Sequence, residues 1–344
     1  MADFWNRRSQ LALSELWHYI ATQADPTVRS ALTFAFTNTA WHATRMRRYN
    51  AFGGQRPLTG TLYIPQLVAE GNVFEIFRHQ VAQVSRFYAT HPAAEHADGG
   101  IDKAFARQSS ATDLSWLPSS SVDYVFTDPP FGANLFYGDC NVVWESWLGD
   151  VTDLTEEIVV NKSLPMASGG KSLADYEKLL SGAFSEVRRV LAPGARASVV
   201  FHNADDKVWS ALLGATNHAG LAQTDVSVLD KVQRSMKGYK GRSGAELVPF
   251  FDLVITFTAD SNVKAQNLNG ADKVALAAIR RHLGSLPEGN KNEVTDQRSL
   301  EYLYSLAIGA VIASDTKLTG LSFKALEEIL QKNFIAKGRH YYLH

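Results

Sequence analysis

The chain is poor in the features that announce several large classes of protein. Cys140 is the single cysteine in 344 residues, so neither an intrachain disulfide framework nor a multi-cysteine zinc site can form within it, and a reducing, cytoplasmic setting is the expectation. Nowhere do eighteen consecutive apolar residues occur, and Met1 to Arg8 carries charges with no apolar run behind them. Neither a membrane span nor a signal peptide is therefore expected. The formal net charge is -1, unlike that of a small, uniformly basic nucleic-acid-binding module, so any nucleic-acid surface has to come from local clusters of Lys and Arg. Internal repeats and low-complexity tracts are also missing.

What is present is 45% hydrophobic and 11% aromatic residues, enough for one large domain with an accessory domain, or for two modest domains. Leu13, Leu16, Trp17 and Ile20 follow helical spacing, and Val28, Ala31, Leu32, Ala35 and Phe36 repeat it after the Asp25-Pro26 start signal. Two amphipathic helices should open the chain. Gly53, Gly54, Pro57, Gly60 and Pro65 then break regular structure and read as an extended connector.

From about residue 101 the pattern changes. Val122, Tyr124, Val125 and Phe126 form a short β-prone run that stops at Asp128-Pro129-Pro130, because proline has no N–H for a sheet ladder and restricts the residue before it. A helix follows over 172–191, with Leu173, Tyr176, Leu180, Phe184, Val187 and Leu191 on one face and Pro193-Gly194 as its stop. A buried strand at 197–201, a helix over 205–219 closed by Gly220, and strands near 221–229 and 251–258 complete the set. This alternation predicts an open α/β sheet, whose ligands sit beyond the carboxyl ends of parallel strands, where Asp128 lies. Further helices are expected around 271–283, 298–313 and 322–334. The chain thus divides into a helical N-terminal region and connector (1–100), an α/β core (101–260) and a C-terminal helical region (261–344).

The tetrapeptide Asp128-Pro129-Pro130-Phe131 has a specific chemical use. An exocyclic amino nitrogen on adenine or cytosine is a poor nucleophile because its lone pair is delocalised into the ring, and two fixed acceptors favour its pyramidal form. The Asp128 carboxylate and the Pro129 carbonyl can each accept one amino hydrogen, while consecutive prolines stiffen the backbone. Phe131 can stack on a base swung out of a helix. In-line attack on a methyl group then needs orientation and electrostatics rather than a metal or a cysteine nucleophile. A bare Asp-Pro-Pro is also a common turn. Its place at the end of a β-prone run, with a helix ending in Arg189-Val190-Leu191-Ala192-Pro193-Gly194 before the next strand, favours the chemical reading.

Carried by Ser120 to Gly132, and more weakly by Glu186 to Gly194, Phe201-His202-Asn203 to Trp209, and Arg7 to Leu16, the chain resembles amino-methyltransferases with the Asp/Asn/Ser-Pro-Pro-aromatic signature, especially the large bacterial adenine-specific DNA methylases of the DUF1156 type. That resemblance implies a Rossmann-like methyltransferase sheet, S-adenosylmethionine as methyl donor, DNA as partner and transfer to a base amino group, as in restriction-modification. One departure stands out: the family's glycine-rich cofactor loop, normally N-terminal to this region, is missing. Phe52-Gly53-Gly54 is the nearest candidate but lacks a preceding β-prone run. Where related enzymes carry an acid near the cofactor adenine, this chain offers Ser110 and Asp113. Either a companion polypeptide carrying the loop completes the sheet, or the chain is a degenerate, non-catalytic subunit that binds DNA or a partner methylase. The same acceptor geometry would also serve an RNA base, although no RNA-binding module is recognisable.

Among the other candidates, Lys237, Lys240 and Arg242 fall in a basic, glycine-bearing stretch with Lys231 and Arg234 that suits phosphate contact, or an ordinary solvated loop. Arg45, Arg47 and Arg48 form a smaller cluster with the same two readings. His202, just past the 197–201 strand, lines the base pocket or is a satisfied structural histidine. Phe136 and Tyr137 wall that pocket or pack the core, and Trp144 and Trp147 read as packing residues.

Overall fold

The computed structural model describes residues 2–51, 57, 62–90, 106–229, 251–259, 270–287, 296–314, 316–338 and 340–344. They form two compact units: Met1–Arg107 with Phe136–Glu157, and Gln108–Leu135 with Ile158–His344.

The first unit is helical: Arg7–Ala21 (α1), Pro26–His42 (α2), Val73–Thr90 (α3) and Tyr137–Leu148 (α4). The first two helices start where their caps dictate. Asn6 accepts from the Ser9 N–H at 2.8 Å, and Asp25 accepts from the Thr27 N–H at 2.7 Å with Pro26 in the first turn. Leu13 and Ile20 of α1 are buried with Phe36, Met46 and Val143. Trp147 meets Trp5 and Phe36 edge-on at 5.7 and 5.2 Å, and Trp144 stacks on Trp41 at 5.0 Å while its indole N–H donates to the Thr37 carbonyl at 3.1 Å. Both are packing residues within this unit. Phe136 and Tyr137 also belong to it, and Tyr137 opens α4 rather than lying in a loop, its N–H donating to Glu157 Oε1 at 2.5 Å. Cys140 lies in α4. Burial first, then the Asp139 and Glu157 carboxylates, push its thiol pKa up, the opposite of what a nucleophilic thiolate requires.

The second unit is built on a four-stranded sheet of Val122–Thr127 (β1), Leu191–Phe201 (β2), Ala222–Leu229 (β3) and Asp252–Thr258 (β4), in the order β1-β2-β4-β3. Helices Leu173–Val190 (α5) and Asp206–His218 (α6) flank β2 in sequence. The α/β class is as expected. The sheet is mixed rather than wholly parallel: β1 runs parallel to β2, whereas β4 lies between β2 and β3 and runs antiparallel to both. Strand periodicity carries no direction, so this reversal is invisible in the sequence.

Ala197, Val199 and Phe201 of β2 pair with Phe257, Ile255 and Leu253 of β4, and all six are buried on one face. Leu180 and Phe184 of α5 and Trp209 and Leu212 of α6 join the same core. The Pro193-Gly194 stop is absorbed as an irregularity at the start of β2, where the pairing steps from Val122↔Leu191 to Tyr124↔Arg196 and Gly194 takes φ 78°. At the other side β1 ends the sheet. Its outer backbone edge is unpaired among the described residues, and Tyr124 and Phe126 are 54% and 64% exposed.

The C-terminal helices Ala271–Ser285 (α7), Leu300–Ala313 (α8) and Phe323–Asn333 (α9) match the expected positions, and a short hairpin of Ile335–Lys337 (β5) and His340–Tyr342 (β6), which periodicity does not flag, follows them. No helix among the described residues is long and apolar enough to cross a membrane, and none of their side chains cluster as a metal site.

Candidate active site

The chain leaves β1 at Thr127 and immediately forms the Asp128 to Gly132 loop at the carboxyl end of the strand. Asp128 is exposed, Pro129 buried, and Pro130 and Phe131 partly buried. The later carbonyls of the loop are all engaged. That of Pro130 accepts from the Tyr176 hydroxyl at 2.5 Å and from the Gly132 N–H at 3.0 Å. The Phe131 carbonyl accepts from Asn203 Nδ2 at 3.1 Å, and the Gly132 carbonyl from the Val160 N–H at 3.2 Å. The Asp128 carboxylate and the Pro129 carbonyl, by contrast, make no hydrogen bond among the described residues.

The clamps on the loop are themselves held. Tyr176, in the first turn of α5, is fully buried, and burial drives its phenol pKa well up, so the hydroxyl stays a proton donor at any physiological pH. Asn203 accepts the Asp205 N–H at 2.8 Å through its side chain, while its main-chain carbonyl accepts the Trp209 indole N–H at 3.0 Å. Trp209 in turn packs edge-on against Phe201 at 4.9 Å. Phe131 meets Phe201 at 5.0 Å and 86°, and His202 at 4.5 Å and 63°. His202 Nδ1 lies 2.7 Å from Asp252 Oδ1, with the Asp252 side chain 5% and that of His202 23% exposed.

Gly132 closes the loop at φ 71°, and a Cβ there would stand 3.2 Å from the Val208 side chain. Gly132→Ala should therefore destabilise the protein by about 1–2 kcal/mol, from the left-handed backbone together with the crowding. Urea denaturation reads this directly, and an unchanged midpoint would mean the loop relaxes without cost.

Of the residues singled out in the sequence, the fold brings together Asp128, Pro129, Pro130, Phe131 and His202. Ser110 and Asp113 go elsewhere. Ser110 Oγ pairs with Thr112 Oγ1 at 2.8 Å, and Asp113 accepts from the Ser115 N–H at 3.0 Å. This run lies along α5, with Thr112 beside Gly182 and the Leu114 N–H donating to Glu186 Oε2 at 2.8 Å. There Arg189 binds Glu186 and lowers its carboxyl pKa, and the adjoining Ser120 and Ser121 N–H groups donate to the carbonyls of Arg189 and Val190, at the amino end of β1. No hydrogen bond or ion pair among the described residues joins Ser110 or Asp113 to Asp128. Lys237, Lys240 and Arg242, and the Phe52-Gly53-Gly54 candidate, lie outside the described residues.

Three residues of the site do not stand out in the sequence: Tyr176, Asn203 and Asp252. Tyr176 reads as one more apolar position of α5, although a tyrosine on a buried stripe needs a partner for its hydroxyl. Asn203 precedes the Asp205 cap within a turn and belongs to a weakly matching segment, but neither signal gives it a role in holding the loop. Asp252 carries none, since its contact with His202 depends on the direction of β4.

No family model matches the chain, and no curated protein matches its sequence. Among solved structures, a proposed DNA modification methylase from Thermus thermophilus aligns at 15% identity over 52% of this chain and 58% of its own, with a TM-score of 0.25. The same protein complexed with S-adenosyl-L-methionine aligns at 15% over 52% and 61%, with a TM-score of 0.25. A SAM-dependent methyltransferase from Methanosarcina mazei aligns at 15% over 54% and 79%, again at 0.25. The chain thus spans less than two thirds of the length of the Thermus protein in these two alignments, and the functional reading rests on the site itself.

Proposed function

We propose that this chain carries the base-binding site of an S-adenosylmethionine-dependent methyltransferase that modifies an exocyclic amino group in DNA, adenine N6 ahead of cytosine N4. One observation carries the reading: among the described residues two adjacent acceptors of the loop, the Asp128 carboxylate and the Pro129 carbonyl, make no hydrogen bond, while the next two carbonyls, of Pro130 and Phe131, are bound by Tyr176 and Asn203. An amino group has two hydrogens to place and no other polar requirement. Acceptors fixed in advance draw its nitrogen toward the pyramidal form without reorganising during reaction. Phe131 offers the base an aromatic surface, His202 lies beside that ring, and Lys237, Lys240 and Arg242 would grip phosphate.

S-adenosylmethionine would supply an electrophilic methyl group on a sulfonium. Of the three residues considered for holding it, only Asp128 stands at the site, since Ser110 and Asp113 close local turns along α5. A second reading follows: a companion polypeptide brings the glycine-rich cofactor loop and adds a strand to the open edge of β1, covering Tyr124 and Phe126. That exposed terminal edge beside Asp128 favours it.

The test is transfer of label from methyl-tritiated S-adenosylmethionine to unmethylated DNA, followed by nucleoside analysis. Label is expected in N6-methyladenine. Calorimetric titration of the chain alone with S-adenosylmethionine separates the readings. Saturable binding without any methylated nucleoside leaves a non-catalytic DNA-binding subunit, whereas no binding is the result expected if a companion completes the site.

A further inference from the structure

We propose that Asp252 and His202 act as a positioning pair that sets the orientation of the Phe131 ring, and with it the surface the loop presents to a target base. The inference rests on the base-binding reading of the loop, but its structural half can be tested without any activity.

The pair is a product of strand direction. Because β4 runs antiparallel to β2, Leu253 faces Phe201, and the next step outward sets Asp252 against His202, at the carboxyl end of β2 and next to the Asp128 loop. The carboxylate is almost wholly enclosed and the imidazole mostly so, with Nδ1 and Oδ1 2.7 Å apart. An enclosed carboxylate is costly to desolvate, and replacing a whole buried pair of this kind by well-packed apolar residues is often neutral or stabilising. Orientation is what such a pair supplies in return. The two atoms are in close contact without the alignment of a full hydrogen bond, and a carboxylate this near still favours a proton on Nδ1 over a bare ring nitrogen.

The oriented imidazole is one wall of the slot that holds Phe131. Its centroid is 4.5 Å from that of Phe131 at 63°, and Phe201 forms a second wall at 5.0 Å and 86°. Phe201 is fixed by the core and by Trp209. His202 is the wall with freedom to turn, since it lies beyond the end of β2, and Asp252 removes that freedom. Asn203 fixes the backbone of Phe131 through its carbonyl, so the ring's remaining torsions answer to its side-chain walls, Phe201, which the core holds, and His202. Neither Asp252 nor His202 needs to touch the reacting atoms.

Imidazole 15N NMR of the purified chain tests the first step. A protonated Nδ1 is expected for His202 in the wild type and in Asp252→Asn, whose amide oxygen still accepts, with that preference lost in Asp252→Ala. Aromatic 13C relaxation of Phe131 should report a more mobile ring in Asp252→Ala and in His202→Asn, which keeps a donor toward Asp252 but deletes the ring. In the methyl-transfer assay, Asp252→Ala should lower kcat by about 100-fold, the scale expected of a reacting group held slightly out of place. KM for DNA should move by less than about threefold, and Asp252→Asn should recover most of the loss. A wild-type tautomer and an ordered Phe131 ring in Asp252→Ala would overturn the proposal. So would a uniform rise in KM with kcat unchanged. If Asp252→Ala does not fold, His202→Asn and Asp252→Asn carry the same comparison. Absence of methylation in the wild type would count against the functional reading alone, because the NMR measurements still decide the pair.

Discussion

Asp128→Ala is expected to abolish methyl transfer, lowering kcat by about 100- to 1,000-fold, while leaving the melting temperature within about one degree of the wild type. The two halves of this expectation have different physical sources. Removing one preorganised donor from an oxyanion hole costs about 2.7–4 kcal/mol, roughly that factor in rate, and loss of a fixed acceptor for an amino hydrogen is expected on the same scale. The fold should not notice, because the carboxylate is exposed and bonds to nothing among the described residues, and changes at such surface positions usually stay within about 0.5 kcal/mol. Asp128→Asn keeps one acceptor oxygen and the shape of the side chain, so it should retain partial activity. DNA binding, measured by fluorescence anisotropy at one fixed salt concentration, should be close to wild type in both variants, since phosphate contacts dominate affinity. Undiminished methylation by Asp128→Ala would remove the loop from the chemistry and leave a turn with a structural role.

The second large effect is on stability. Trp209→Ala should lower the unfolding free energy by about 3–5 kcal/mol, the usual range for deleting a large buried aromatic side chain. Trp209 is 1% exposed, packs edge-on against Phe201, and donates its indole N–H to the Asn203 carbonyl. Trp209→Phe separates volume from hydrogen bonding: it keeps most of the packing but leaves the Asn203 carbonyl without that donor, at about 1–3 kcal/mol. The two variants differ in what reaches the site. Asn203 holds the Phe131 carbonyl, so Trp209→Phe should reduce kcat more than its modest loss of stability explains. Denaturant titration and the methyl-transfer assay on the same preparations check both statements. Equal behaviour of Trp209→Phe and the wild type would mean Asn203 is held without the indole.

How much of this is legible in the sequence differs residue by residue. The end of β1 at Thr127 is legible because proline cannot continue a ladder, a local and unconditional fact. The caps at Asp25 and Ser172 and the buried stripe of Tyr176, Leu180 and Phe184 are legible for a similar reason, since helix faces are set by spacing alone. Helices α3 and α4 escape the sequence reading. In α4 only Gly138 and Val143 are buried, so its run of aromatics looks like a loop even though Gly149 closes it.

The sequence by itself determined that a proline-held loop follows a strand, that helices and strands alternate through the core, and that three helices lie near the C-terminus. These are consequences of backbone chemistry and periodicity, which act over a few residues. Tertiary structure decided everything that depends on which strand lies beside which and in what direction. The antiparallel insertion of β4 carries Asp252 to His202. The packing of α5 turns the Tyr176 hydroxyl onto the Pro130 carbonyl. The path of residues 110–115 along that helix bonds Leu114 to Glu186 instead of joining Asp128. Such contacts join residues 46 to 72 positions apart, and no local pattern encodes a pairing that only the closed core can enforce.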